Sequence, residues 1–406
     1  MKSLLSSIKP AKPPATVRTL AESVFMKGQI SLLEFMRLME SVSRPRPFYL
    51  IAHGVNNVST AAVAIARGAN AVEFDIELPD NLYESSDWEF SVRHFPTQVG
   101  QPIKQYLDGL AILLKQNPKV ALVYFDIKNA NINLTRLREI IHEHLTNVVP
   151  IQIILSHAHW EGRGLFNPIT RDTPGEGLLI DEDDDPNRCS HFFSEEKHLT
   201  RFGYGNGVVT WGVPEVIPGS IMQAVALKWG FGKIRWVCTY TLANQNDMRD
   251  YIAKGVDGIM VDDVPALKEV FEKFAAKYRL RLAERTDDPF DPPVHPSYVL
   301  TVLTSPELTG AGTDADLTFV LGGSKGTIEA TIDAFPAGLF EEGLTNYVTL
   351  IGKDVGKIKS LTLSQDGVGD WHVAYVMVRK RGSPDTVMFD FNNQAIHPDK
   401  PVIRTV

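Results

Sequence analysis

Over the first two-thirds of the chain, short continuous apolar runs alternate with stretches whose apolar residues recur at helical spacing. The runs fall at 48–53, 71–76, 120–127, 151–156, 177–181, 207–211, 234–240 and 257–261, and read as buried strands. Between them the pattern predicts helices at Val58–Arg67, closed by Gly68, and at Ile103–Gln116, Leu134–Leu145, Gly219–Trp229 and Gln245–Lys254. Such alternation predicts an α/β fold over residues 46–290, a (β/α)8 barrel of the TIM type with its active site at the C-terminal ends of the strands. An open doubly wound sheet would alternate in the same way, but no Gly-rich phosphate loop follows the first strand. Residues 15–43 read as two short amphipathic helices that cap the neighbouring domain, within an N-terminal helical extension over 1–45. The prolines of RPRP, 44–47, then stop helix and introduce the first strand.

A Pro-rich stretch, DDPFDPPVHP at 287–296, ends this pattern, with the linker at 291–296. Beyond it lie short alternating strands separated by Gly, Asp and Asn: YVLTVLTS, ADLTFVLGG, GTIEATI, NYVTLIG, KIKSLTLSQD, HVAYVMVR and TVMFDF. They describe a separate all-β sandwich over 297–406. The 406 residues suit two domains, and 44% hydrophobic residues can bury a large core. A net charge of −8 with no basic run argues against nucleic acid as partner, and a monomer is expected. Cys189 and Cys238 make no disulfide framework. No segment has the length and apolarity to span a bilayer, and MKSLLSSIKPAKPP is too broken by Pro and Lys for a signal peptide.

Chemistry gathers in the first third of the barrel. The first strand delivers His53, and the second carries Glu73 and Asp75 two residues apart, hence on one face. A right-handed β-α-β connection brings His53 and both acids to one mouth. His94 follows a short third apolar piece, FSVRHFP. On VALVYFDIKN, Asp126 takes the same end-of-strand position, and Lys128 shares its face. Three converging carboxylates repel one another unless a cation sits between them, and oxygen ligands without cysteine indicate a hard divalent ion such as Mg²⁺. Such an ion polarises a phosphate oxygen, paired histidines move the protons, and Lys128 can hold a nonbridging oxygen. Trp211 is a candidate wall for lipid or head group. His157 and His159 (LSHAHW) have ligand-like spacing but are read as loop packing, and DEDDDP, 181–186, as a solvated loop.

The pieces IAHGVNN, GANAVEFDIE, RHFP, YFDIKN and GVDGIMVDD resemble the sphingomyelinase D-type phospholipases D of spider venoms and their fungal and bacterial relatives. These belong to the glycerophosphodiester phosphodiesterase-like barrels. The similarity runs from about Arg46 to Phe290, and ERTDDPF, 284–290, resembles the motif with which that family plugs the barrel. The resemblance implies that His53 and His94 are the catalytic pair and that Glu73, Asp75 and Asp126 bind Mg²⁺, with Lys128 beside the phosphate. The implied reaction is intramolecular transphosphatidylation: a lipid hydroxyl displaces the head-group alcohol and leaves a cyclic phosphate. Tyr240, in WVCTYTL, stands where the venom enzymes keep a Trp near choline; a Tyr face also attracts a quaternary ammonium. Their cysteine-rich loop has no counterpart in FPTQVG.

Residues 297 to about 380 resemble the PLAT, or lipoxygenase-homology, domain through YVLTVLTS, GAGTDADLTFVLGGSKG, FEEGLTNYVTL and DVGKIKSLTLSQDGVGDWHVAYVMV. That resemblance implies recruitment to a membrane surface or a partner protein, in some cases with Ca²⁺. Asp314, Asp366 and Asp370 would then be oxygen ligands, unless they serve only as turn residues. The combined expectation is a Mg²⁺-dependent phospholipase D acting on a phospholipid or sphingolipid, peripheral at a membrane. A phosphodiesterase for soluble glycerophosphodiesters and a non-catalytic lipid- or protein-binding adaptor are the alternatives.

Overall fold

The structure, a computed structural model, describes residues 45–79, 88–94, 100–181, 185–207, 218–291, 295–334, 338–398 and 400–406. The helical extension expected over 1–45 lies outside these residues except for Pro45. Eight parallel strands close into a barrel: β1 (Arg46–Ala52), β2 (Ala71–Glu77), β3 (Leu122–Ile127), β4 (Gln152–Ala158), β5 (Glu176–Asp181), β6 (Phe202–Gly207), β7 (Trp236–Tyr240) and β8 (Gly258–Val261). Each pairs in parallel with the next, and β8 returns to β1 from Tyr49↔Gly258 to Ala52↔Val261. The outer layer holds α1 (Val58–Ala66), α2 (Ile103–Gln116), α3 (Leu134–Ile141), α4 (Pro186–His191), α5 (Pro218–Ala226), α6 (Gln245–Lys254) and α7 (Val264–Phe274). Between β4 and β5 the link is a 3₁₀ run, Trp160–Phe166, in place of an α-helix. The side chains of Asn57, Asn133, Asn244 and Asp263 cap α1, α3, α6 and α7, each contributing about 1 kcal/mol.

The sixth strand is a correction to the hydrophobic pattern, which put it at 207–211. Its true sequence, FGYGNG, alternates glycine with larger residues because neighbouring strands fill the barrel there. A Cβ on Gly203 would lie 2.6 Å from the Trp236 carbonyl oxygen, and one on Gly205 would lie 2.2 Å from Asp181 Oδ1. Inside the barrel Tyr49, Ile51, Tyr124, Leu179, Trp236 and Phe290 form one buried cluster. Phe290 closes the base: its ring lies where a Cβ on Gly177 would come within 1.8 Å. Arg201 secures this plug, with two bonds to Asp288 at 2.6 and 2.9 Å and its guanidinium 5.3 Å from the Phe290 ring centre.

The sandwich comprises β9 (Ser297–Thr304), β10 (Asp316–Gly323), β11 (Gly326–Asp333), β12 (Thr345–Ile351), β13 (Ile358–Gln365), β14 (Trp371–Lys380), β15 (Thr386–Ile396) and β16 (Val402–Thr405). Two antiparallel sheets, ordered β12-β9-β14-β15 and β11-β10-β13-β16, enclose Tyr298, Phe319, Phe340 and Trp371. It docks side-on. Edge strands β12 and β11 pack on α5 and α6, which removes two open edges as templates for unwanted pairing, and Met222 of α5 joins the sandwich core. At the barrel base Ser297 Oγ donates to the Trp229 carbonyl at 2.6 Å, and Arg279 donates to that of Gly352 at 2.6 Å. His295 is buried at this junction, so the end of the Pro-rich segment is packed rather than slack. Nearer the mouth, Gly219 at the start of α5 faces Leu339. Among the described residues no helix is long and apolar enough to cross a membrane.

Candidate active site

β1 pairs with β2 only through Ile51↔Ala71 and Ala52↔Val72, which leaves the rest of that β2 edge open. Two chain segments share it. The loop after β1 lets Val55 N donate to the Glu73 carbonyl at 3.0 Å. Beyond that, Ser91–Val92 runs antiparallel through Ile76↔Val92 and Glu77↔Ser91, and Arg93 N donates to the Asp75 carbonyl at 3.2 Å. The segments carrying His53 and His94 are thus both anchored on the two residues whose side chains supply the acids. His94 itself is exposed.

Glu73 and Asp75 share a face of β2, and Asp126 pairs in register with Asp75 on β3. One ligand oxygen from each lies within 4.8 Å of the others. Each acid is held from outside this centre. Glu73 Oε2 accepts from Gly54 N at 2.6 Å, while Asp75 Oδ2 accepts from Asn56 Nδ2 at 2.7 Å and Asn56 Oδ1 accepts from Asp75 N at 2.9 Å. Gly54 has φ +62 with nothing within 4 Å of a built Cβ, so its backbone conformation, not space, calls for glycine. Lys128 Nζ bonds Asp126 Oδ2 and lies 2.9 Å from Asp75 Oδ1. Glu73 Oε1 and Asp126 Oδ1 are buried without a hydrogen-bond partner. One lysine therefore faces three acids, and burial together with the Asp75 charge pushes the Glu73 carboxyl up to about 8. Burial alone would lower the Lys128 ammonium, but Asp126, Asp75 and Glu73 outweigh it and hold the charge on. A small divalent cation supplies what these oxygens lack, so the donor set fits one.

The β1–β8 register sets the residues after Ala52 and Val261 side by side. His53 Nδ1 accordingly meets Asp262 Oδ1 at 2.8 Å. Burial would lower this imidazole, but the Asp262 bond and the Glu73 and Asp75 charges raise it to about 9. With Nδ1 turned to Asp262, Nε2 is the nitrogen left for proton transfer.

Residues 43–154 match the family model described as Sphingomyelinase D/Phospholipase D, and residues 298–405 match that of the PLAT/LH2 domain. The first half of the barrel is thus similar to the sphingomyelinase D/phospholipase D family, and the sandwich to the PLAT/LH2 domain. The family that it resembles is one of phosphodiesterases. A dermonecrotic toxin of Loxosceles intermedia is 25% identical over 289 residues, 62% of this chain and 92% of the toxin. Another, from Loxosceles amazonica, is 24% identical over 275 residues, 60% of this chain and 98% of that toxin. A glycerophosphodiester phosphodiesterase structure from Parabacteroides distasonis aligns at TM-score 0.41 and 14% identity, covering 57% of this chain and 99% of that one.

The sequence pattern did not single out Asp262 and Asn56, although both stand within GVDGIMVDD and IAHGVNN. The doublet Asp262–Asp263 was the available signal: Asp263 caps α7, and Asp262 meets the histidine. Tyr240 ends β7, half-buried against the interior cluster. Trp211 lies outside the described residues. His157 is loop packing, with Nδ1 2.5 Å from the Ile127 carbonyl oxygen and its ring against Gly162, whereas His159 is exposed. Asp181, expected to open a solvated loop, is instead buried and accepts from Tyr124 OH at 2.5 Å and from Ser156, because β5 extends through it into the barrel.

Asp314, Asp366 and Asp370 of the PLAT domain are not gathered into a ligand cluster; among the described residues the mouth triad is the one such group. Asp366 Oδ1 accepts from Asp316 N at 3.1 Å, and Asp370 Oδ1 is 2.5 Å from His397 Nδ1.

Proposed function

We propose that the barrel is a Mg²⁺-dependent phospholipase D of the sphingomyelinase D type, releasing the head-group alcohol from a sphingomyelin-like or lysophospholipid diester. The convergence of Glu73, Asp75 and Asp126 beside two histidine segments carries this reading. Those three side chains would hold the ion, which when bound polarises a phosphate oxygen and offsets developing negative charge. His94 takes the proton from a hydroxyl of the lipid as that oxygen forms its new bond to phosphorus. His53, protonated and steadied by Asp262, gives a proton to the head-group oxygen as the old P–O bond breaks. The products are a cyclic phosphate lipid and a free alcohol, with no water consumed. The Asp262 bond remains after a cation has neutralised Glu73 and Asp75, so His53 stays the natural acid. Lys128, fixed between Asp75 and Asp126, offers its charge to a nonbridging phosphate oxygen, and Tyr240 a ring face to a quaternary ammonium. The PLAT domain brings the barrel to a membrane surface or a partner protein.

The test is choline release from micellar lysophosphatidylcholine and sphingomyelin against glycerophosphocholine, with products identified by mass spectrometry. Release from lipid, loss with a chelator, restoration by Mg²⁺ and a cyclic product are expected, and Asp75→Asn should abolish turnover with the fold intact. Activity on the soluble diester alone would overturn the lipid assignment, and full turnover in Asp75→Asn the metal assignment.

A further inference from the structure

Two barrel helices among those described, α1 (VSTAAVAIA) and α5 (PGSIMQAVA), carry no charged side chain. A surface helix normally turns charges to water, as α7 does with Lys268, Glu269, Glu272 and Lys273. For α5 the reason is visible: the sandwich covers it. No other part of the described chain covers α1 in the same way, and its Val63 is 51% exposed. Beside α1 lies a pocket of about 330 Å³ at the mouth, lined by His53, Val55, Thr60, Val63, Ala64 and Val264. Glu73, Asp75 and Asp126 do not line it, so His53 stands between the carboxylate centre and this second space. Its charged groups are Asp262, engaged with His53, and Arg67 just past the end of α1.

We infer that this groove takes one aliphatic chain of the substrate lipid, running outward from His53 between α1 and α7. The inference rests on the lipid reading given above. The lipid ester oxygen stays on phosphorus beside the departing head-group oxygen that meets His53, so the lipid backbone is within reach of this residue, and a wall of Val55, Val63, Ala64 and Val264 with the hydroxyls of Ser59 and Thr60 suits a hydrocarbon. At the ~30 Å³ that one water occupies in the liquid, the space holds roughly ten methylene-sized groups. Asp262 and Arg67 border the groove without closing it, so a chain longer than this passes over Val63 towards solvent or a lipid surface.

The test uses the full chain with Mg²⁺ and a series of lysophosphatidylcholines of increasing acyl length, with glycerophosphocholine as the chainless reference. In the unaltered protein kcat/KM rises with chain length, by up to about fourfold per methylene until the groove is full. Thr60→Trp, which fills the groove, and Val63→Gln, which makes its lip polar without adding charge, flatten that rise. The longest chain loses about tenfold or more, while the reference or shortest turned-over chain stays within about twofold. Val63→Leu keeps the rise. A length dependence unchanged in both Thr60→Trp and Val63→Gln overturns the groove assignment, as does an unaltered protein indifferent to length; in either case the lipid reading stands. Turnover of the chainless diester alone overturns both.

Discussion

The mouth and the base of the barrel both bury charge, and they treat it in opposite ways. At the base Asp257 is matched: Oδ1 lies 3.3 Å from Arg46 Nη1, and Oδ2 accepts from Lys228 Nζ at 2.5 Å and Val237 N at 2.8 Å. Both cations also lie near the Trp229 ring, 5.6 and 4.7 Å from its centre. At the mouth three carboxylates share one lysine, with two buried oxygens unpartnered. The base is an ion network whose charges are matched within the barrel. The mouth carries more acidic than basic side chains, and such imbalance marks a site of function.

Neutral isosteres separate the two cases most sharply. Glu73→Gln should cost about 10³-fold or more in turnover, because the cation proposed for this centre would lose a ligand. The same change should stabilise the cation-free protein. A carboxyl raised to about 8 opposes folding above its unfolded pKa, with the penalty growing from about pH 4.5 to 8. Removing it adds roughly 1–3 kcal/mol at pH 8, read from urea unfolding in chelator. Asp257→Asn should do the reverse. It leaves two buried cations unmatched and costs about 3–5 kcal/mol of stability, while turnover per folded molecule is kept. If Asp257→Asn proves neutral in stability, the contrast between the two regions fails.

The smallest effect lies at the base and depends on pH. Burial, followed by the charges of Arg46, Arg279, Lys228 and Arg381, lowers His295 to about 3. Between that value and about 6.5 the unfolded chain takes up a proton that the folded protein refuses, so stability falls on acidification, by at most about 1.4 kcal/mol per pH unit. His295→Phe keeps a ring beside Trp229, 6.0 Å away between centres, and removes the proton site. From pH 7 to 5 the unaltered protein should lose about 1–2 kcal/mol more than this variant, measured by urea midpoints. Equal losses would show that the junction does not carry the acid sensitivity.

Much of this architecture was legible in the chain. Ile103–Gln116 and Gln245–Lys254 are helices over the residues that the apolar spacing marked, and the period-two placement of Glu73 and Asp75 put both acids at the mouth. β6 was misplaced because hydrophobic pattern scores what a strand contributes to the core. Gly203 and Gly205 contribute by yielding room to Leu179, Trp236 and Asp181, which no local pattern records. Asp262 was missed for a different reason. Its partner is 209 residues away, and only the closure of β8 on β1 brings them together. The side-on docking was hidden as well: a proline-rich linker suggested independence, yet the uncharged face of α5 was already part of an interdomain surface.

That docking has a mechanical consequence. Contacts at Trp229 and Arg279 low on the barrel and at Gly219 near its mouth fix the sandwich at both ends, lengthwise along the barrel. The loop after β13, with Val368 fully out in solvent, lies at the same end of the sandwich as Leu339. Whatever this end of the sandwich rests upon, the barrel inherits that bearing, and His53 and His94 meet the surface at one set tilt.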